Sequence, residues 1–456
     1  MDMDMTNLFL AIYRAVLSAA VFTFFLAAFS STGLAADSIW APPELEKLIE
    51  EALANNQSIT SREARVKGLE NRIPAAGALP DPKLGFAVQN LPTDSFSFEQ
   101  EPMTQKQIFL EQAVPWLSKL DLRSETAAES AREEKAGLAA ARLELARDVA
   151  DAWYELGYVE ESQRINSELI ELLERILRDA ESGYAVGEGL QQDIFQAEVE
   201  ISRLEDEAVR LESRRKTIED RLHELTNRQD YESIDPPSDL PEPDFSFSSE
   251  ALAKSALARN PDLKGMQAAI KGAEAETRLA EKDYYPDFNI RLTYGQRDQD
   301  RTGRDLPDFF SAAVAMDIPL WHKSKQSGEV AAASENQRSA RNRYHDLRTR
   351  LPYRINSLTS EIKDSRRRYD LYKNDLIPHA GKWARSALDA YEVDRVEFDT
   401  MIEARIKVLN YRREASRLFY NIYQKRAELE AWIGGAAQTG RQETFHEFKG
   451  QSNDKQ

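Results

Sequence analysis

The chain has 456 residues, 30% charged and 41% hydrophobic, and a formal net charge of −18. It contains no cysteine, which excludes disulfide staples, thiol catalysis, thiolate metal sites and an N-terminal lipidated cysteine. The acidic balance argues against nucleic acid as a partner, because counterion release needs clustered positive charge on the protein.

Residues 1–36 read as a secretory signal. After Arg14 an apolar run from Ala15 to Phe29 leads to small residues and a cleavable site around Gly33-Leu34-Ala35-Ala36. As an uncleaved anchor this run would fall short of the roughly 20 apolar residues that a spanning helix needs. The mature chain is therefore expected to begin near Asp37. Beyond it no stretch is apolar for long enough to cross a bilayer as a helix, so any membrane-spanning part must consist of strands.

A first structural repeat is expected over residues 37–230. Its opening helix signal, Glu44 to about Leu69, breaks at Pro74, Pro80 and Pro82. The period then switches to two. In a segment at about 83–90, Leu84, Phe86 and Val88 alternate with Lys83, Gly85, Ala87 and Gln89. After the polar loop Leu91 to Gln105, a segment at about 106–114 sets Ile108, Leu110 and Val114 opposite Gln107, Glu111 and Ala113. A helix from about Ser118 to Ser182 follows, on the order of 95 Å long at about 1.5 Å per residue. Its seam is Leu138, Ala141, Leu145, Val149, Ala152, Leu156 and Val159. A turn punctuated by Gly183, Gly187 and Gly189 precedes a helix from Leu190 to about Thr226.

Residues 231–249 contain Asp235-Pro236-Pro237 and Leu240-Pro241-Glu242-Pro243, a proline-rich linker that cannot be helical. The second repeat, 250–435, has strand patterns at about 287–295 and 308–318, joined by the polar loop Gln296 to Pro307. Phe288, Ile290, Leu292 and Tyr294 share one face of the first. Phe310, Ala312, Val314, Met316 and Ile318 share one face of the second. The helical seam Tyr344, Leu347, Leu351, Ile355, Leu358, Ile362, Ser365, Tyr369, Tyr372 and Leu376 is that of a coiled coil, with bends expected at Pro352 and Pro378. Residues 436–456 form a polar tail expected to be disordered.

The two halves repeat each other. Ala52-Leu53-Ala54 recurs at Ala256-Leu257-Ala258, Pro80-Asp81 at Pro286-Asp287, Val114-Pro115 at Ile318-Pro319, and Tyr184-Ala185-Val186 at Tyr391-Glu392-Val393. Order is kept, with offsets of 204 to 207 residues.

Strands with one apolar and one small or polar face carry the pattern of a barrel with lipid outside and water inside. A small soluble sheet covered by helices would show similar alternation, but a duplicated hairpin behind a secretion signal favours the membrane. Four strands cannot span hydrocarbon alone, because their open edges leave backbone groups unpaired at several kcal/mol each. Other copies must complete the barrel. Two copies give eight strands, whose interior fills with side chains, whereas three give twelve and leave a lumen.

Tyr184-x-Val186-Gly187-x5-Asp193-Ile194-x2-Ala197 and its partner Tyr391-x-Val393-Asp394-x9-Ala404 resemble the paired hairpin tips of TolC-type outer-membrane factors. Ile377-Pro378 and the closing Trp432-Ile433-Gly434-Gly435 resemble the same family, over about Glu44 to Gly435. Leu79-Pro80-Asp81-Pro82-x-Leu84 and Met103-Thr104 running into Gln112-Ala113-Val114-Pro115 look most like its heavy-metal branch of CzcC and CusC type.

The resemblance implies a mainly α protein whose long coiled-coil hairpins form an α-barrel. Four strands per chain would join a twelve-stranded β-barrel in a homotrimer. It implies an outer-membrane duct of a Gram-negative bacterium with a long periplasmic portion, docked on a periplasmic adaptor and an inner-membrane pump of the resistance-nodulation-division (RND) class. Tyr184, Val186, Gly187, Tyr391, Val393 and Asp394 would lie at adaptor-facing tips, with Asp394 standing where glycine is usual. Asp399, Glu403 and Thr400 fall where some members carry an acidic periplasmic constriction. Leu84, Phe86, Val88, Phe288, Ile290 and Leu292 would face lipid.

Residues for chemistry are missing from the sequence. The five histidines and the mature methionines are scattered, so neither a metal site nor a cofactor is expected. No nucleophile motif or phosphate loop is present, and Gly187-Glu188-Gly189 lies between helices rather than after a strand. The alternatives are a duct of a type I secretion or multidrug system, and a soluble periplasmic coiled-coil scaffold.

Overall fold

The structure, a computed structural model, describes residues 42–435 except 188, 238, 239, 244–247 and 394. The signal expected over 1–36, the tail expected over 436–456 and the tip position Asp394 lie outside the described residues.

The first half opens with α1 (Pro43–Asn55) and α2 (Gln57–Ala76). One helix ending at Pro74 was expected, but the chain divides at Asn56 and carries Pro74 inside the last turn of α2. The cause is a cap. The Asn56 side-chain oxygen accepts from Ser58 N at 3.0 Å and Ile59 N at 3.4 Å, ending one helix and starting the next. The second half repeats the device between α5 (Ser249–Arg259) and α6 (Pro261–Lys282), where Asn260 accepts from Leu263 N at 3.0 Å.

Each capping amide also ties its repeat together. Asn56 Nδ2 donates to Leu225 O at 3.2 Å, and Asn260 Nδ2 donates to Trp432 O at 3.0 Å. Leu225 lies at the end of α4 (Gln191–Thr226) and Trp432 at the end of α9 (Phe398–Ile433), so the same lock closes both copies of the unit.

Between α2 and α3 (Lys119–Ala185) run β1 (Lys83–Gln89) and β2 (Gln105–Val114). Between α6 and α7 (Lys325–Leu371) run β3 (Phe288–Gln296) and β4 (Phe309–Met316). They form one antiparallel sheet in the order β1-β2-β3-β4, joined across the repeats by β2 and β3.

α3 is 67 residues long, on the order of 100 Å at about 1.5 Å per residue. Its expected seam is its buried stripe: Leu138, Leu145, Val149, Ala152, Leu156 and Val159 all enter the core. On α7, Leu351, Ile355, Leu358, Ile362 and Tyr369 do the same. A third core joins the lower ends of both hairpins through Leu169, Leu173, Ala197, Ala384, Phe398 and Met401. Each such large aliphatic side chain removed from water contributes about 1.5–3 kcal/mol, which holds helices whose other faces are charged.

The two prolines act differently. Helix α7 runs through Pro352 without interruption. Before Pro378 the chain takes one π turn, Tyr372–Leu376, and continues as α8 (Ile377–Tyr391). Pro378 has no amide hydrogen to give, and the wider turn absorbs the lost bond. The proline-rich segment after α4 lies against the helices: Trp153 Nε1 donates to Asp235 O at 3.1 Å, and the Tyr423 hydroxyl donates to Pro241 O.

Candidate functional site

Cross-strand pairing builds the sheet's apolar face row by row. Phe86 lies opposite Ile108, Ile108 opposite Tyr294, and Tyr294 opposite Phe310. Leu84, Leu110, Leu292 and Ala312 make the next row, and Ile290 with Val314 a third. None of the described helices covers this face. Phe86 is 77% exposed, Phe310 71% and Val314 69%. Leu84, Val88, Ile290 and Leu292 are exposed as well, while Phe288 is half-buried against Trp116 at 6.0 Å between ring centroids. Gln112 stands among these apolar residues, and its amide donates to Pro80 O and Ala113 O at 2.8 Å each.

The opposite face is polar. Glu111 accepts from Asn289 Nδ2 at 2.7 Å and from Arg291 Nε at 2.8 Å, and the Arg291 guanidinium lies 4.8 Å from the Phe109 ring centre. Gly85 makes room for that ring, since a Cβ there would come within 2.2 Å of it. Among the described residues, β1 and β4 each have one strand neighbour, so the sheet ends on two open edges. None of the described helices is long and apolar enough to cross a membrane.

A buried lysine fixes the sheet to the helices. Lys119, only 3% exposed at the start of α3, bridges to Asp283 and Asp287 at 2.9 Å each. Burial pulls its ammonium down, but the two carboxylates outweigh burial and hold it above the ordinary lysine value. Asp287 also accepts from Trp116 N at 2.7 Å, and the Trp116 ring stacks on Tyr285 at 5.0 Å.

At the far end of the hairpins, Tyr184, Val186 and Val393 are exposed. Gly187 turns the first hairpin at φ +83°, a conformation that favours glycine. The second closes through Arg395 N donating to Ala390 O at 2.8 Å. The half-buried Tyr391 joins the two, its hydroxyl donating to Asp193 Oδ2 at 3.4 Å and its ring lying edge-on to Phe398. Burial raises the Asp193 carboxyl above the usual range. The Asp399 charge adds to the rise and the Tyr391 bond partly opposes it. Asp399 and Glu403, one turn apart on α9, are exposed and make no ion pair among the described residues; Thr400 is half-buried between them.

Alternation had set Leu84, Phe86 and Val88 on one side of their strand, and the glycines had marked the turn of the first hairpin. Sequence reasoning missed the lysine clamp, because Lys119 and its aspartates lie more than 160 residues apart and only folding brings them together. Asp193 was visible as part of the tip motif, but its burial was not.

A four-stranded antiparallel sheet with an exposed apolar face, carried on two long helical hairpins, defines the class of fold. The profile of the family described as outer membrane efflux protein matches residues 48–228 and 252–435, and the chain belongs to that family. Its members are outer-membrane efflux components, not enzymes. Among solved structures, the chain resembles the outer membrane protein VceC of Vibrio cholerae at 18% identity. The match covers 86% of this chain and 96% of that one, with a TM-score of 0.73. CusC follows at 14% identity, 87% and 93% coverage and a TM-score of 0.73. The CmeC outer membrane channel of Campylobacter jejuni shows 15% identity, 87% coverage of both chains and a TM-score of 0.72. At such identities the likeness is one of fold. Comparison with curated protein sequences gives no match.

Proposed function

We propose that this protein is the exit duct of a tripartite efflux system, spanning the outer membrane of a Gram-negative bacterium and reaching into the periplasm. Three copies pair β4 of one with β1 of the next, closing twelve strands around a lumen. The observation that carries this reading is the sheet, with an uncovered apolar face, a polar opposite face and two open edges. Leu84, Phe86, Val88, Phe288, Ile290 and Leu292 then meet lipid. The tips, with Tyr184, Val186, Gly187 and Val393 exposed and Tyr391 half-buried between the hairpins, dock on a periplasmic adaptor coupled to an inner-membrane RND pump, and the sequence position Asp394 is assigned to the same contact.

The substrate proposed is a heavy-metal cation, passed without tight binding. Support comes from Asp399 and Glu403, two exposed carboxylates one turn apart, with Thr400 beside them. Threefold repetition makes them an acidic ring that concentrates cations.

Conductance of the purified protein in planar bilayers tests both parts. A duct gives discrete, cation-preferring channels. The double variant Asp399→Asn, Glu403→Gln is expected to lose most of that preference and of the block by divalent cations. An unchanged preference removes the acidic ring, and absence of channels removes the duct. Sensitivity of a deletion strain to metals against drugs then separates a metal duct from a multidrug one.

A further inference from the structure

A polar cavity opens near the middle of α3, away from both the sheet and the tips. Its volume is about 420 Å³, within the roughly 300–1,000 Å³ of small-molecule sites. Tyr158 of α3, Arg214 of α4 and Arg417, Tyr420 and Asn421 of α9 line it, so three helices contribute.

We propose that this cavity binds planar organic anions inside the duct, a carboxylate against the two guanidinium groups and a ring beside the tyrosines. The inference rests on the reading that the helices close into a duct, and it adds a passenger of a class different from cations. Three observations point to that ligand. First, donors are left unfilled. Arg214 commits Nε and Nη2 to Glu155, at 3.1 and 2.7 Å, and Arg417 commits the same two atoms to Glu414, at 2.8 and 2.7 Å. Each keeps Nη1 without a hydrogen bond among the described residues, and the Tyr158 and Tyr420 hydroxyls make none either. A carboxylate, which only accepts, suits such a set.

Second, the charge is complementary. The lining carries two guanidinium groups against the single carboxylate of Glu155, in a chain whose net charge is −18. Carboxylates nearby are engaged: Glu414 also accepts from Arg368 at 2.9 Å, Glu160 lies 3.1 Å from Arg215, and Glu161 lies 2.5 Å from Arg164. Asp151, one turn from Glu155, is held above the usual carboxylate range by burial and then by the Glu155 charge. Third, aromatic surface is at hand. The Arg214 guanidinium lies 5.9 Å from the Tyr158 ring centre, and Tyr420 is half-buried. Burial pushes the Tyr420 hydroxyl up to about 12, so at neutral pH it stays a donor.

Helix geometry places the cavity on the lumenal side. Trp153 and Gly157 lie under the proline-rich segment: Trp153 Nε1 donates to Asp235 O, and a Cβ on Gly157 would come within 2.3 Å of Pro237. Glu155, two residues past Trp153, points about 200° further round the helix, to the opposite face. Leu45 and Leu48 of α1 and Ile234 share one core with Trp153, so that side carries a second layer. A duct that stays open carries this layer outside, which turns the cavity inward.

The test measures binding of naphthalene-2-carboxylate, and of the neutral naphthalene-2-methanol, to the full protein in detergent by equilibrium dialysis. Saturable binding of the carboxylate is expected, with the alcohol about tenfold weaker because it offers the guanidinium groups no charge. Arg417→Gln should weaken the carboxylate about tenfold and leave the alcohol unchanged; Glu414 keeps Arg368, so no bare carboxylate results. Tyr420→Phe, which alters no charge, should weaken the carboxylate about fivefold. Equal binding of the two probes, or carboxylate binding unchanged in both variants, overturns the site. In planar bilayers the carboxylate should interrupt the current of open channels, and less so in Arg417→Gln. Saturable binding with uninterrupted current overturns the lumenal placement. A protein that forms no channels fails the duct reading, whereas dialysis judges the cavity by itself.

Discussion

At the scale of single residues, two buried charges decide most. Replacing Lys119 by methionine leaves Asp283 and Asp287 facing each other without a cation. A fully buried pair broken in this way costs about 3–5 kcal/mol. Both aspartates are partly exposed, so about 1–3 kcal/mol is expected, read as a lower thermal midpoint in detergent. Asp193 works in the other sense. Its folded pKa stands above the ordinary 3.8, so its contribution to stability is full below that value and is lost as pH rises through the raised one. As rising pH ionises it, the carboxylate loosens the tips. Asp193→Asn should therefore slow hydrogen exchange over residues 190–200 at pH 7 and leave it unchanged near pH 3. Tyr391→Phe should do the reverse at pH 7, by removing the hydroxyl that steadies the carboxylate. Equal exchange in all three proteins at pH 7 would show that this contact does not hold the tips.

Elements were legible where their period was long and unbroken. The strands, the α3 and α7 seams and the glycine turn at 187 could be read because alternation and three-four spacing report burial directly. The break at Asn56 was harder. Asparagine at a cap differs from asparagine on a helix face only by which amides it reaches, and proline nearby drew attention to the wrong position. The π turn before Pro378 was seen only as a bend. Face assignment in the sheet has a direct check in the neighbours Ala313 and Val314, which alternation sends to opposite sides. Val314→Arg places a charge on the exposed apolar face, at about 2–4 kcal/mol if that face lies mid-bilayer, and should abolish assembly in membranes. Ala313→Arg, on the polar side, should assemble at near-normal yield. Equal tolerance of both would mean that the apolar face does not meet lipid.

For the whole molecule, duplication explains why so much could be read. Two copies of one unit, each closed by its own capping asparagine, contribute two strands apiece to a single sheet. What the sequence did not show is how the copies diverged, because the difference lies in partners brought together by folding: Lys119 is clamped between Asp283 and Asp287, whereas Lys323, at the matching position of the second copy, makes no ion pair among the described residues. The central claim is that the sheet's open edges are completed by other copies in a membrane. The most direct measurement is the mass of the protein extracted from outer membranes in detergent, by analytical ultracentrifugation with the detergent contribution matched out. The account predicts a trimer that enters membranes through its strands and migrates differently in gels before and after heating. A monomer recovered in the water-soluble fraction would contradict it.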